Sequence, residues 1–573
     1  MTPPPKAQPV EVPDWAHDAV WYQLFPERFR NGAPTSNPQR QDIADREIPG
    51  WQITPWGQDW YRPDAWAEPA KWRFAILGRR YGGDLVGVRE KLDYLQALGV
   101  NALYLNPIFT ARSLHKYDGA SFHHVDPTLG PDREGDWEAL AAANETDDPA
   151  TWIWTAADRY FLELVREVHA RGMRIILDGV FNHTGREFFA FQDILKRGRQ
   201  SPYADWYLID RWHRDGTFKY KGWFGHDSLP EFNRTKDSLW PPVRDYVFNC
   251  TRRWMDPAGD GDRSKGIDGW RLDVAFCVPH GFWREWRQHV KAINPDAYLT
   301  AEIIQNARDF VQGDQFDAVM NYMWMYPAVA YFAPSPHRLD MRTFKRKLDA
   351  LRASYPPEVT PVLQNLLDSH DVGRILSMLE NAGTMALSWD EYFNVSRVKH
   401  NPSFVTTKPG PAAYRALRQL VIFQMTYPGA PMIYYGTEVG MWGANDPCNR
   451  QPMFWDDIPF EPETHTPAGK NGSAHPRQPD KELFAFFERA IQLRKTHRAL
   501  RRGTFAWEST GRPGLLGFTR QDESQTIHVL LNVRDKPVAH AYAHPVFDLW
   551  DPAPQPLHGP FEVPAHGWRI VAQ

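Results

Sequence analysis

Cysteine is scarce: the 573 residues hold three, Cys250, Cys277 and Cys448, odd in number and far apart. That excludes a disulfide framework and a CxxC metal pair, and leaves small buried thiols as the plain reading. No stretch reaches the ~20 apolar residues a bilayer-spanning helix needs, so no membrane partner is expected. The opening MTPPPKAQPVEVPDW lacks a basic head followed by an apolar run; with no export signal in view, the expected compartment is the cytoplasm. Excess charge of one sign is missing too. Lys and Arg total 66 against 70 Asp and Glu, a formal net charge of -4, so nucleic acid is not an expected partner. No short repeat recurs, which sets aside solenoids and propellers. No Gly-rich phosphate turn follows the first apolar run, which counts against a doubly wound nucleotide-binding sheet.

Aromatic residues, by contrast, are abundant: 25 Trp, 22 Tyr and 32 Phe. Many stand in polar, Gly- or Pro-containing stretches such as GWQITPWGQDWYRPDAW (50–66). Such rings suit the apolar faces of sugars and cation contacts, or else pack long loops against a core. Both readings are open at this level.

Eight short apolar runs end in polar residues: VWYQLFP (20–26), NALYLNPIF (101–109), MRIILDGVFNH (173–183), GIDGWRLDVAF (266–276), AYLTAEII (297–304), FDAVMNY (316–322), VLQNLLDSHD (362–371) and APMIYYG (430–436). Amphipathic stretches separate several of them. LVGVREKLDYLQALG (85–99) and AADRYFLELVREVHARG (156–172) carry apolar residues at helical spacing and stop at glycine. Alternation of this kind predicts an α/β fold, a (β/α)8 TIM barrel. Residues 184–265 show little periodicity and read as a loop-rich domain inserted after the third strand. After the helix-like 482–500, the runs GLLGFTR, TIHVLLNV, AHAYAH and GWRIVAQ predict a C-terminal all-β domain, a sandwich. The expected organisation is therefore 1–183 (first barrel part, with an extension at 1–17), 184–265 (insertion), 266–500 (rest of the barrel) and 501–573 (β domain).

Barrel chemistry gathers where strands end in βα loops. The third run ends in Asp178, Asn182 and His183, the fourth carries Arg271 and Asp273, the fifth ends at Glu302, and the seventh at His370 and Asp371. A carboxylate in an apolar run is costly unless paired. Each could be structural alone, and Asp178 reads best as a hydrogen-bond hub; together they point to one mouth. Retaining glycoside hydrolysis needs two carboxyl groups about 5–5.5 Å apart, a separation that neighbouring strands can give Asp273 and Glu302. Arg271 beside Asp273 is expected to keep it ionised, and the apolar company of Glu302 to let it hold a proton.

The stretches DGVFNH (178–183), GWRLDVA (269–275), AEII (301–304) and LLDSHD (366–371), in this order and spacing, resemble the α-amylase superfamily of glycoside hydrolases. The wording is most similar to neopullulanases, cyclomaltodextrinases and maltogenic amylases. The resemblance implies Asp273 as nucleophile, Glu302 as general acid/base and Asp371 as transition-state stabiliser. It implies Tyr117 stacked on the sugar, with His183, Arg271, His370, Asp446 and Arg450 around the same ring, and an α-glucan oligosaccharide as substrate. No cofactor is expected for the chemistry. The chain departs from the subgroup at LPEFN (229–233) and at Phe276 and Cys277, so the acceptor side is expected to differ. The subgroup's N-terminal β domain, of ~100 or more residues, is not seen; a monomer or weak homodimer is the expectation.

Related enzymes often hold structural calcium near the first strand. The corresponding loop here, NGAPTSN, keeps Asn31, Asn37, Gly82 and Asp84 but has Ala33 for a carboxylate. A second calcium candidate is DPAGDGDRS, with Asp256, Asp260 and Asp262; a solvated acidic turn is the alternative. His123 and His124 are adjacent, so on a strand they point apart and are not expected to form a zinc pair. Glucan transfer, a non-catalytic sugar binder and a metal-dependent hydrolase remain as competing functions.

Overall fold

The computed structural model describes residues 10–43, 48–67, 76–383, 389–401, 403–467, 471–553 and 555–573; the first nine residues of the expected extension lie outside them. Each of the eight apolar runs contributes a strand: β1 (Trp21–Leu24), β2 (Ala102–Leu105), β3 (Arg174–Gly179), β4 (Gly269–Leu272), β5 (Tyr298–Ala301), β6 (Ala318–Val319), β7 (Gln364–Leu366) and β8 (Ala430–Tyr434). All pair in parallel in the order 6-5-4-3-2-1-8-7, and a parallel bridge from Met320 to Gln364 joins the two ends. The ring is closed. Strands buried on both faces have no polar alternation, which is why they read as continuous apolar runs.

The covering helices follow local signals. Thr155 caps the helix Ala156–Ala170 in a reciprocal box with Asp158. Asp84 caps Leu85–Glu90 by accepting from the Gly87 N–H. The expected single helix over 85–99 is broken at Lys91, whose backbone leaves helical geometry (φ -102°, ψ 11°), and its second half ends at Gly99 with φ 95°, a left-handed conformation that glycine adopts without cost. Trp270, Trp283 and Trp286 are fully buried between barrel and helices, each contributing about 4–6 kcal/mol of apolar burial at ~25 cal/mol/Å² over roughly 150–250 Å².

Within 184–265 a two-stranded hairpin (Ile209–Trp212 with Phe218–Tyr220) packs on Phe191, and an isolated bridge ties His183 to Glu231. The same stretch also holds a regular helix, Pro241–Met255, packed beside His280–Ile293, so its last part returns to the barrel wall. In the C-terminal region six antiparallel strands (Thr504–Glu508, Leu515–Gln521, Thr526–Asn532, Trp568–Ala572, Val546–Asp548, Pro556–Leu557) form one sheet, and Val538–His540 pairs with Phe561–Val563 in another. Period-two alternation decides its faces. Leu516, Phe518, Val529 and Leu531 join the main core, whereas Leu515 and Leu530 pack on Val538 and Val563.

The aromatic stretch 50–66 serves packing and cation contacts. Trp60 is fully buried, stacks on Tyr81, and has the guanidinium carbons of Arg28 and Arg79 at 5.9 and 5.7 Å from its ring centre.

Candidate active site

Four strands deliver their polar ends to one point. Asp178 lies in β3, Asp273 one residue past β4, Glu302 one past β5, and Asp371 five past β7. At their centre is Arg271, with no solvent exposure. Its Nη1 donates to both oxygens of Asp178 (2.8 and 3.0 Å) and to Asp273 Oδ1 (3.0 Å), and its Nη2 pairs with Glu302 Oε2 at 3.0 Å. Asp371 Oδ2 is 4.0 Å from the same Nη2. One guanidinium thus spans the carboxyls of Asp273 and Glu302.

Asp178 is the hub the sequence indicated. Besides Arg271 it accepts from Tyr104 Oη (2.6 Å) and Tyr117 Oη (2.9 Å). A second tier orients His370. Gln23 Nε2 donates to His370 Nδ1 at 2.8 Å, and His370 Nε2 lies 2.6 Å from Tyr117 Oη and 3.1 Å from Asp371 Oδ2. With Nδ1 accepting, the proton is assigned to Nε2. Asn106 links Gln23 (3.0 Å) to Tyr117 Oη (2.9 Å). The rings of Tyr117 and His370 lie nearly parallel, 7° apart with centroids at 5.5 Å.

His183 stacks on Trp223 at 5.4 Å, and burial pushes its pKa down to about 3, so it is a neutral ring. Arg450 and Asp446 pair at 3.1 Å, Arg450 Nε donates to the His370 carbonyl at 3.0 Å, and its Nη2 is 3.6 Å from Asp371. The pair is therefore part of the mouth and not a plain surface contact. All nine residues expected at the site lie in or against this network.

The electrostatics differ from the expectation at Asp273. Burial, and next the charge of Glu302, push its carboxyl well above the usual range, with Arg271 opposing. Asp371 is raised in the same way, by burial first and then by Glu302, with which it shares a hydrogen bond. Burial is the larger cause in both, and Arg271, shared among the acids around it, offsets only part of it.

Val274, directly after Asp273, has φ 38° and ψ 45°, a left-handed conformation that a β-branched residue adopts only when its surroundings impose it. Its N–H donates to Glu302 Oε2 at 3.0 Å, so the turn that carries Asp273 also fixes the neighbouring carboxyl. Gln23, Tyr104 and Asn106 escaped the sequence reading, although each is a polar group in a buried run.

The calcium candidates fit a cation poorly. Asn31, Asn37, Gly82 and Asp84 do come together, but Asp84 is committed to the N–H groups of Gly32, Ala33 and Gly87 (3.1, 2.8 and 2.6 Å), and Asn31 Nδ2 donates to Asn37 Oδ1 at 2.7 Å. Asn31 Oδ1 is buried without a hydrogen-bond partner, but that one oxygen falls short of the six to eight that calcium takes. In the second loop the Lys265 ammonium reaches Asp260 and Asp262, and Asp256 accepts from the Gly261 N–H at 3.1 Å. A lysine already occupies that acidic turn.

Carboxyl groups converging at the C-terminal mouth of a closed parallel barrel define a class, enzymes that open acetal bonds between two acids. Comparison with known proteins gives the family. Residues 23–148 and 156–503 match the α-amylase catalytic domain. The chain is 36% identical to neopullulanase 2 of Thermoactinomyces vulgaris over 524 residues, covering 91% of this chain and 70% of that protein. It is 35% identical to a Bacillus cyclomaltodextrinase over 538 residues, covering 92% and 75%. Among solved structures, the cyclic α-maltosyl-(1→6)-maltose hydrolase of Arthrobacter globiformis superposes with a TM-score of 0.71 at 27% identity, over 98% of this chain and 100% of that one. The chain belongs to the α-amylase family of glycoside hydrolases. Among the described residues no helix is long and apolar enough to cross a membrane.

Proposed function

We propose that this enzyme hydrolyses α-1,4-glucosidic bonds of maltooligosaccharides, cyclodextrins or related α-glucans with retention of configuration. The observation that carries this is the grip of Arg271 on Asp273 and Glu302 at 3.0 Å each, which sets two carboxyls to either side of one glycosidic bond. An Asp273 oxygen attacks the anomeric carbon as the C–O bond breaks, and Glu302 gives its proton to the departing oxygen. Glu302 then removes a proton from water, whose oxygen displaces Asp273 from the sugar. Acid, base and nucleophile all come from the chain, so we assign no cofactor to the chemistry.

Asp371 and His370 meet the ring hydroxyls from the opposite wall, where hydrogen bonds strengthen as the ring flattens. Tyr117 supplies the stacking face. Arg450 with Asp446, and His183, close the ring. Product analysis on β-cyclodextrin, pullulan, starch and maltotriose tests the reading, with the first-formed anomer followed by NMR. The α-anomer is expected; folded protein that releases no reducing sugar from any of the four overturns it.

Phe276, three residues past Asp273 and 42% exposed, favours transfer as a second reading, since an apolar ring there suits a sugar acceptor better than water. Incubation at high maltotriose decides: absence of products longer than the substrate excludes transfer as the main activity. The three free cysteines support a reducing compartment, the cytoplasm; cell fractionation checks it.

A further inference from the structure

Away from the mouth, three donor atoms converge where the sequence led us to expect none. Residues 121–125 are bent and not a strand, so the neighbouring rings of His123 and His124 fall on one side, their centroids 4.5 Å apart. Each ring's Nδ1 is already engaged: His124 with Asp158 Oδ2 at 2.8 Å, His123 with Tyr246 Oη at 2.8 Å. Glu145 commits Oε1 to the Ile153 N–H at 2.7 Å. What remains is His123 Nε2 and His124 Nε2, 3.3 and 2.8 Å from Glu145 Oε2, all three within 4.8 Å of one another. They sit on the wall of a cavity of about 340 Å³ that Arg112, Trp137 and Glu187 also line.

We propose that His123, His124 and Glu145 bind one divalent transition-metal ion of the zinc type, with the fourth position facing this cavity. Bonds of about 2.0–2.1 Å in a tetrahedron place donors roughly 3.3 Å apart, near the 3.3 and 2.8 Å that separate the two imidazoles from Glu145 Oε2. Both imidazoles offer Nε2 while their other nitrogen is held by a carboxylate or a phenol, the outer partners that fix a metal-binding ring. The outer partners are themselves held: Arg253 Nη2 is 3.1 Å from the Asp158 oxygen that engages His124. The ion ties the loop that carries Tyr117 to the 143–155 stretch, to the helix Ala156–Ala170 through Asp158, and to Pro241–Met255 through Tyr246.

The test uses the full chain, stripped by chelator and dialysed. Zinc is titrated by calorimetry with metal content read by mass spectrometry, and cobalt is added separately for its visible spectrum. We expect one zinc per chain, a rise in melting temperature, and the intense bands of four-coordinate cobalt. Glu145→Gln and His123→Gln lower zinc affinity by about tenfold or more and abolish the cobalt bands. Stripped wild type that takes up no zinc and shows no thermal shift overturns the proposal, as do variants that bind zinc and cobalt like wild type. Should a variant misfold, the wild-type stoichiometry and cobalt spectrum still decide.

Discussion

Replacing Asp273 by Asn is expected to abolish turnover and to make the protein more stable. Asn keeps the shape and an oxygen that accepts the Arg271 hydrogen bond, now 3.0 Å long, and removes only the charge. That charge is 7% exposed and faces Glu302, whose carboxylate is the next cause, after burial, of the raised pKa. At an effective dielectric constant of about 20, two carboxylates at the roughly 5–5.5 Å of a retaining pair repel by about 3 kcal/mol, and the lost attraction to Arg271 offsets part of it. A net gain of about 1–2 kcal/mol follows, a rise of about 1 °C per kcal/mol for a chain of 573 residues. The pH dependence fixes the cause. A carboxyl whose folded pKa is raised leaves stability intact below its unfolded value of about 3.9 and erodes it as pH rises through the folded value. The variant's advantage should therefore be absent at the acid end and open towards neutrality. Differential scanning calorimetry across that range, with reducing-sugar release alongside, measures both. Catalysis should fall by about 10⁴-fold or more, as for loss of a nucleophile. A variant less stable than wild type at neutral pH would show that the Arg271 pairing outweighs burial and repulsion, and the charge argument would fail.

Asp178→Asn should act in the opposite direction. Burial pushes the Asp178 carboxyl up as well, so the loss comes from hydrogen bonding: one amide oxygen must replace the two that accept from Arg271, Tyr104 and Tyr117, and about 1–3 kcal/mol of stability goes with the unmet donors; a urea midpoint equal to wild type would contradict this. Tyr117→Phe retains the stacking face but loses the hydroxyl that meets Asn106, Asp178 and His370. Its kcat/KM should drop roughly 10- to 100-fold, the worth of a hydrogen bond to a charged group, with the fold intact by circular dichroism. The acid limb of the wild-type kcat/KM profile should lie above the ordinary Asp value of about 3.9, because Asp273 is raised; a limb at or below that value refutes the shift. Calcium added to stripped protein should leave the melting temperature unchanged, since Ala33 stands where a carboxylate ligand is needed and Asn31 Nδ2 donates to Asn37 Oδ1 at 2.7 Å.

The barrel was legible because strands buried on both faces leave uninterrupted apolar runs, and all eight runs became strands. The acids were legible for the complementary reason: Asp178, Asp273 and Glu302 stand out against Ile, Leu and Ala. Neutral polar groups carry a weaker contrast, so Gln23 and Asn106 passed unnoticed although each interrupts such a run. The sharing of Arg271 could not be read at all, since it depends on how strands from distant parts of the chain tilt together. His123 and His124 were misplaced for a local reason. Adjacent side chains diverge only if the backbone is extended, and here it bends. Asp84 stood in a calcium-like pattern, yet an Asp directly before a helical run is also a cap, and that is the role it takes.

A common counter-ion also bears on how this enzyme could be adapted. Altering any one acid re-tunes its companions, because they answer to a single cation that cannot move. Shifting the working pH by editing the acids themselves would thus disturb nucleophile and proton donor in one stroke. Met320, whose sulfur accepts from Arg271 Nε at 3.4 Å, offers a gentler handle, since the acids pair with Nη1 and Nη2 instead.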